Sequence, residues 1–502
     1  MRHLRANVAQ LLSWSASAIE AVTTRLAGSR WGLLLPLLLL AALAIPRLVM
    51  VAPWSDEAFV ASPALDLLTN GSMGTRVYAP GCGPQGLSDY TYWQPPLSFP
   101  VTAGWFGVFG AGLFQLRALS MVWGVLGLVS LWFVARSLCD NNRKVAAVTV
   151  IVVAVSFIYV RGSADGRLWD VMSASLALAA YASYLGWRQS HLARAVLVSS
   201  ILATGAALTH PLGIVSFAGL AFLAVFYDRS RLRVRHFAIW VLPPVVGLAG
   251  WGFYIMRDFD LFVTQFFGNT VAVEGMGFTW QGIVAEFTQR YGFRPYVTSH
   301  GTLTFGILLC AMVAGVFLSW RQRMLRPVVA LCIIPFLVLL FLAGHKLGRH
   351  LMHLVPLLVL LLVCEWHIAR KRPLLYVAVA FLLVILVAVS LSASVFDIRN
   401  GTTYSEYTEV MEYVSAHSDE TDVVCGDAAN AFALDFGPNV FHDHALTCEL
   451  VTADFFVIAP GTRAYLEGRA PQDYAALQHR LSSDEFVLVY SSAGYEVYER
   501  RE

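Results

Sequence analysis

Three features of the sequence predict an all-α polytopic membrane protein with a small α/β domain at its C-terminal end. Of the 502 residues, 57% are hydrophobic and only 14% charged, too apolar a balance for a soluble chain of this length. The apolar residues gather in runs of roughly 20, the length a helix needs to cross a bilayer core. After Ser394 those runs stop and short strand-like segments begin.

Residues 1–30 set Arg2, Arg5, Arg25 and Arg30 against a single Glu20. They read as a cytoplasmic N-terminal segment, too weakly apolar for a secretory signal. A transmembrane domain is expected over 31–396, with about eleven spans at 31–52, 113–136, 145–160, 169–188, 194–210, 212–228, 236–256, 301–320, 326–344, 350–368 and 373–396. Residues 97–112 are too short to cross and follow Pro95-Pro96, so they read as an interfacial or re-entrant helix within a first external loop, 53–112. Parity supports this. With 97–112 not crossing, the basic turns RSLCDNNRK, RQSHLAR, DRSRLRVRH, RQRMLR and ARKRP all share the side of the N-terminus, as the positive-inside rule requires. The expected location is a plasma (inner) membrane, with residues 397–502 forming an extracytoplasmic α/β domain. In that domain SEYTEVMEYVSAH has helical spacing, TDVVCGD, ADFFVIAP and EFVLVYSSAGYEVYER read as strands, and a second helix is expected near 472–481.

The net charge of +2 gives no field for nucleic acid. Neither a Walker A loop nor a dinucleotide-binding glycine pattern stands between a strand and a helix, so an enzyme of this kind needs a substrate activated other than as a soluble nucleotide. Cys425 and Cys448 share the exported domain, where oxidation is permitted, and form a candidate disulfide.

The candidate chemistry collects on the external side. Asp56 and Glu57 follow the first span directly and suit either catalysis at the membrane surface or capping of the next helix. Asp165, Arg167 and Asp170 stand at the outer end of a span, where acids are costly unless paired or functional. In the turn around 344–350, Lys346 is expected beside His350 and Arg349 beside His353 at helical i,i+4 spacing, a cationic face suited to a phosphate. His210 lies at another outer helix end. Asp258-Phe259-Asp260 mimics a metal–nucleotide motif but opens a Phe-rich stretch (Phe259, Phe262, Phe266, Phe267) better suited to the headgroup belt.

In order along the chain, an Asp-Glu opening of the first external loop, its YWQPPL close, FG followed by RALS, Asp170 in LWDVMSASLALAAY, FVTQFFGN, and the Lys346, Arg349, Pro356 turn resemble the GT-C membrane glycosyltransferases. The branch they resemble is that of the protein O-mannosyltransferases and lipid A aminoarabinose transferases. The resemblance implies a sugar donor on a polyprenyl phosphate, a lipid, polysaccharide or protein acceptor, and inverting transfer to a hydroxyl at the extracytoplasmic face. Asp56 then matches the catalytic carboxylate, Asp170 the second acid, and Lys346 and Arg349 the basic residues near the donor phosphate, with Arg117 or His210 assisting. Gln94 and His210 stand where relatives often carry Lys. No cofactor is implied, although Asp56 and Asp170 could share a divalent cation. The competing reading is a transporter or flippase, which the scarcity of ionisable residues at span centres argues against.

Overall fold

The structure is a computed structural model, and it describes residues 31–82, 86–268, 279–290, 298–343, 346–483 and 485–501. The N-terminal segment 1–30 and much of the loop before residue 298 lie outside the described residues. Among the described residues, fourteen α-helices of eight residues or more build the first part: α1 (Trp31–Met50), α2 (Ser55–Asn70), α3 (Ser98–Phe109), α4 (Leu113–Leu138), α5 (Arg143–Val155), α6 (Phe157–Ala164), α7 (Leu168–Trp187), α8 (Leu192–Thr209), α9 (Val215–Asp228), α10 (Val234–Ile255), α11 (Thr298–Ser319), α12 (Leu325–Phe341), α13 (Val355–Ala369) and α14 (Pro373–Asn400). All eleven predicted apolar segments are helical. Seven of the described helices are long and apolar enough to cross a bilayer, and an eighth if α5 and α6 count as one span.

Two boundaries differ from expectation. The segment 145–160 is not one straight helix: α5 stops at Ser156, whose extended backbone (ψ 125°) ends the ladder, and α6 leaves at 64°. The segment 350–368 is helical in the α sense only from Val355, because Gly348–His353 forms a tighter 3₁₀ turn. In α3, 12 residues rise only about 18 Å, short of the hydrocarbon thickness.

Close packing of α4 against α6 and α7 sets where these breaks point. A Cβ on Gly124 would lie 2.3 Å from Ser163 Oγ, and one on Gly127 would lie 2.4 Å from the Tyr159 hydroxyl. Only glycine admits that approach, and it lets Tyr159 donate to the Gly124 carbonyl (2.6 Å) and Ser175 to that of Trp123 (2.7 Å). Small residues at a helix contact do this generally in membrane bundles. Basic turns meet in two pairs: Asn142 meets His367 at 3.2 Å, and Arg231 donates to the carbonyls of Arg188 and Gln189.

At the opposite face sits the α/β domain: α15 (Tyr404–His417), β1 (Val424–Gly426), β2 (Val440–His442), β3 (Phe455–Ile458), α16 (Pro460–Arg469), α17 (Pro471–Ser482), β4 (Phe486–Ser492) and β5 (Tyr495–Arg500). The sheet order is β2-β1-β3-β5-β4, parallel through β3 and antiparallel beyond it. Thr403 and Glu406 form a reciprocal cap on α15, the pattern that marks a helix start. The expected helices and strands are present, while β2 and α16 were not foreseen.

The domain is fastened to the first external loop. Ala52 N–H donates to Thr402 O (2.9 Å), His442 N–H to Val77 O (2.6 Å), and Ser55 Oγ to Asp427 (2.9 Å). The predicted Cys425–Cys448 disulfide is replaced by Cys82–Cys448, while Cys425 is a buried free thiol on β1. Its neighbours Phe456 and Leu466 belong to the same apolar cluster, so Cys425 serves packing. The loop itself folds around Asp66. Side chains of Ser72, Asn70 and Arg76 and the Gly74 N–H converge on its carboxylate. Burial alone would raise its pKa, yet these bonds hold it below the usual carboxylate range.

Candidate active site

The two adjacent acids that open α2 have opposite fates. Glu57 is fully buried and accepts from Arg117 Nε (2.7 Å) and Nη2 (2.8 Å), from Gly166 N–H (2.7 Å) and from Trp54 N–H (3.2 Å). Its catalytic assignment is corrected: every lone-pair direction is taken, and the residue ties α2 to the α6–α7 turn. Arg117 is likewise structural. Its remaining donors go to the carbonyls of Leu48, Val51 and Ala52, satisfying the acceptors left open where α1 ends. This rivet holds the start of α2 in place.

Asp56 is left facing the opening. Its Oδ2 meets Arg167 Nε at 3.0 Å and Arg349 Nη1 at 2.8 Å. Burial raises the pKa of its carboxyl, against the pull of the Arg167 guanidinium. Arg167 also reaches Asp170 Oδ2 at 3.0 Å and lies 5.2 Å from the Trp169 ring. Trp93 packs edge-on to Trp169 at 5.5 Å and to Phe59 at 5.6 Å. Gln94, next to Trp93 in the chain, is buried, with an Oε1 that accepts no hydrogen bond among the described residues.

Three histidines complete the wall. The His210 ring stands 5.4 Å from that of His350 and 6.0 Å from that of His353. Asp170, His210 and His353 bring one ligand-type atom each within 4.8 Å of one another, the separation a metal site needs. The donor chemistry does not fit a cation as it stands. His210 Nδ1 accepts the Leu212 N–H (3.1 Å), so in the neutral ring the proton lies on Nε2, where a metal would bind. Arg167 already neutralises both Asp170 and Asp56, so the expected Asp56–Asp170 cation would meet a guanidinium instead.

Lys346 is not beside His350, and Arg349 does not pair with His353: the 3₁₀ turn rotates these side chains apart. Lys346 Nζ is instead held by Glu286 (3.0 Å) and by the carbonyls of Leu339 (3.0 Å) and Leu340 (2.9 Å) at the end of α12. Arg290 meets the same Glu286 at 2.7 Å and bonds His350 Nδ1 at 3.1 Å. Asp165 is also engaged elsewhere, by Arg47 (2.8 Å) and Arg161 (3.3 Å), and Arg47 reaches on to Asp397. Asp258 caps a short exposed turn through the Leu261 N–H, in keeping with the dismissal of the metal–nucleotide reading. Phe262, Phe266 and Phe267 cluster beside it.

A cavity of about 950 Å³ opens from Asp56 into the space beneath the α/β domain, where Asp427, His442, His444 and Tyr465 form the far wall. His442 packs edge-on to Phe59 and Tyr78 and accepts the Ala428 N–H. Burial lowers its pKa to about 4 against the opposing charge of Asp427, so it is neutral at physiological pH. Sequence reasoning did not find these domain residues, and only the expectation that the domain shares a side with the Asp56 loop hinted at them.

Residues 93–251 match the family model for dolichyl-phosphate-mannose-protein mannosyltransferase. The fold is similar over 93% of this chain and 97% of the other to ArnT from Cupriavidus metallidurans in the apo state, with a TM-score of 0.59 and 15% identity. The fold is also similar to that of ArnT from Cupriavidus metallidurans bound to undecaprenyl phosphate (TM-score 0.58, 14% identity, 93% and 97% covered). A third likeness is to an Archaeoglobus fulgidus oligosaccharyltransferase in complex with Zn and sulfate (TM-score 0.53, 11% identity, 93% of this chain and 73% of that one). No curated protein matched the chain by sequence.

Proposed function

We propose that the chain transfers a sugar from a polyprenyl phosphate to a hydroxyl acceptor at the extracytoplasmic face, with Asp56 as general base. The observation that carries this reading is Asp56 itself, a carboxylate held by two guanidiniums and lining a roomy cavity beneath the α/β domain. ArnT in its undecaprenyl phosphate complex supports the donor class.

The two guanidiniums differ in freedom. The Arg167 side chain is 6% exposed and fixed between two acids, whereas that of Arg349 is 35% exposed. A donor phosphate entering beside Asp56 competes for Arg349, which offers a planar fork to it. Asp56 then loses one partner and becomes a stronger base when the donor is in place. The acceptor oxygen attacks the anomeric carbon, its proton passes to Asp56, and the C–O bond to phosphate breaks with its electron pair on the departing polyprenyl phosphate. Attack opposite the leaving group inverts the anomeric centre. The acceptor hydroxyl approaches through the cavity beneath the α/β domain, a lipid, polysaccharide or protein chain being held there.

The test is copurification of polyprenyl phosphate, or its glycosylated form, with the detergent-purified protein by mass spectrometry. Wild type is expected to retain the lipid, the attached mass naming the sugar, and Arg349→Ala to lose it. Equal retention by the variant, or none by either protein, would remove the donor-site assignment.

A further inference from the structure

On the face opposite Asp56 lies a second concavity, which sugar transfer does not use. The 18 residues of α8 place it roughly 27 Å from His210. This groove of about 680 Å³ runs between the start of α8 and the α9–α10 turn, and Arg194, Arg231, Arg233, Arg235, His191 and His236 line it together with Ser230 and without any Asp or Glu. Asp228 lies behind it, buried, and is taken by Arg188 (3.2 Å), Arg231 (2.9 Å) and the Tyr184 hydroxyl (2.9 Å). Arg194 lies over the Trp187 ring at 4.4 Å. Arg194, Arg233 and Arg235 form no ion pair among the described residues.

Such a cluster of like charges needs a counter-anion, and the surroundings indicate which kind. Along α10 only His236 is buried. Val234 is 86% and Phe237 62% exposed, and Leu242, Val245 and Val246 also point outward, a surface that suits acyl chains. A soluble phosphate could meet the guanidiniums but would leave that apolar face bare.

We propose that the groove binds the headgroup of an anionic phospholipid, its phosphate held in the forks of Arg233, Arg235 and Arg194 and its chains lying along α10. Basic pockets between helix ends recognise such headgroups by charge, and arginine is the better matched cation for phosphate. A lipid seated there bridges α8, whose other end carries His210, to the peripheral α10.

Native mass spectrometry of the full-length protein in detergent, with phosphatidylglycerol, phosphatidylcholine or inorganic pyrophosphate added in turn, tests this. Phosphatidylglycerol is expected to be retained over phosphatidylcholine. An Arg233→Gln, Arg235→Gln double variant should lose about tenfold or more of that retention, while Arg321→Gln, Arg323→Gln in another basic turn should keep it. Equal retention of the two lipids would overturn the proposal. So would equal losses in both variants, which would mean diffuse surface charge, or binding of pyrophosphate without lipid preference, which would mean a soluble ligand. Should the first variant fail to fold, the wild type must still shed phosphatidylglycerol selectively as ionic strength rises, and failure to do so counts against the site.

Discussion

Two charged clusters border the same end of the bundle, and they differ in how much their charges have left to do. In the first, Glu286, Arg290 and Lys346 have side chains of 0% exposure, and the backbone carbonyls of Leu339, Leu340 and Leu347 take the donors that Glu286 leaves. In the second, Asp56 is 18% exposed and Arg349 35%, and Asp56 lines a large cavity. Composition alone makes both look like phosphate sites. The closed cluster has its charges paired inside the protein and acts as a fastening, whereas the half-open one can exchange a partner for a substrate. Asp56 and Glu57 repeat the lesson one residue apart.

Substitution at Asp56 should separate the two clusters most sharply. Asp56→Asn is expected to lower the transfer rate by about 10² to 10⁴-fold, the usual worth of a positioned base, with the thermal midpoint and lipid retention near those of wild type. Full activity in the variant would refute the base assignment. Glu286→Gln should do the reverse. Removing one partner of a buried pair costs about 3–5 kcal/mol, visible as a lowered midpoint in detergent, while activity per folded molecule persists. Loss of activity without loss of stability would place Glu286 in the chemistry and dissolve the contrast.

A smaller effect tests the tie between loop and domain. Cys448→Ser should destabilise by about 2–4 kcal/mol, a typical disulfide contribution, and Cys82→Ser should match it. Cys425→Ser should leave the disulfide-linked peptide intact in a non-reducing digest; its disappearance would restore the pairing expected from the sequence.

The smallest effect concerns pH. Burial raises the pKa of Asp56 and its deprotonated form is the base, so activity should fall on acidification at a higher pH than an ordinary carboxylate would give. Arg349→Gln removes a cation that favours the charged form and should move this acid limb further upward. A limb that stays in place would show that Arg349 does not act on Asp56.

Much of the fold was legible because its signals are local. Apolar runs such as LLLPLLLLAALAI and FLLVILVAVSLSASVF announce helices wherever they pack. The α15 cap, Thr403 with Glu406, is equally local. Less legible was the 64° break at Ser156, since no proline or glycine marks it. Cys82 offered a usable signal: it stands in the same external loop as Asp56, on the side of the exported domain, and was therefore a candidate partner for Cys448. Glu286 offered little, for an acid in an irregular loop gives no sign that Arg290 and Lys346 will close around it.

By itself, then, the sequence determined a helical membrane protein, the common side of Asp56, Asp170, His210 and Arg349, and the small α/β domain, because length, periodicity and flanking charge act over one or two turns. Tertiary structure alone decided that Asp56 stays half-open while Glu57 is sealed by Arg117, that Lys346 turns to Glu286, and that Cys448 joins Cys82. Those outcomes depend on which long side chains meet across tens or hundreds of residues, where a single buried carboxylate takes whichever cation the packing brings within about 3 Å.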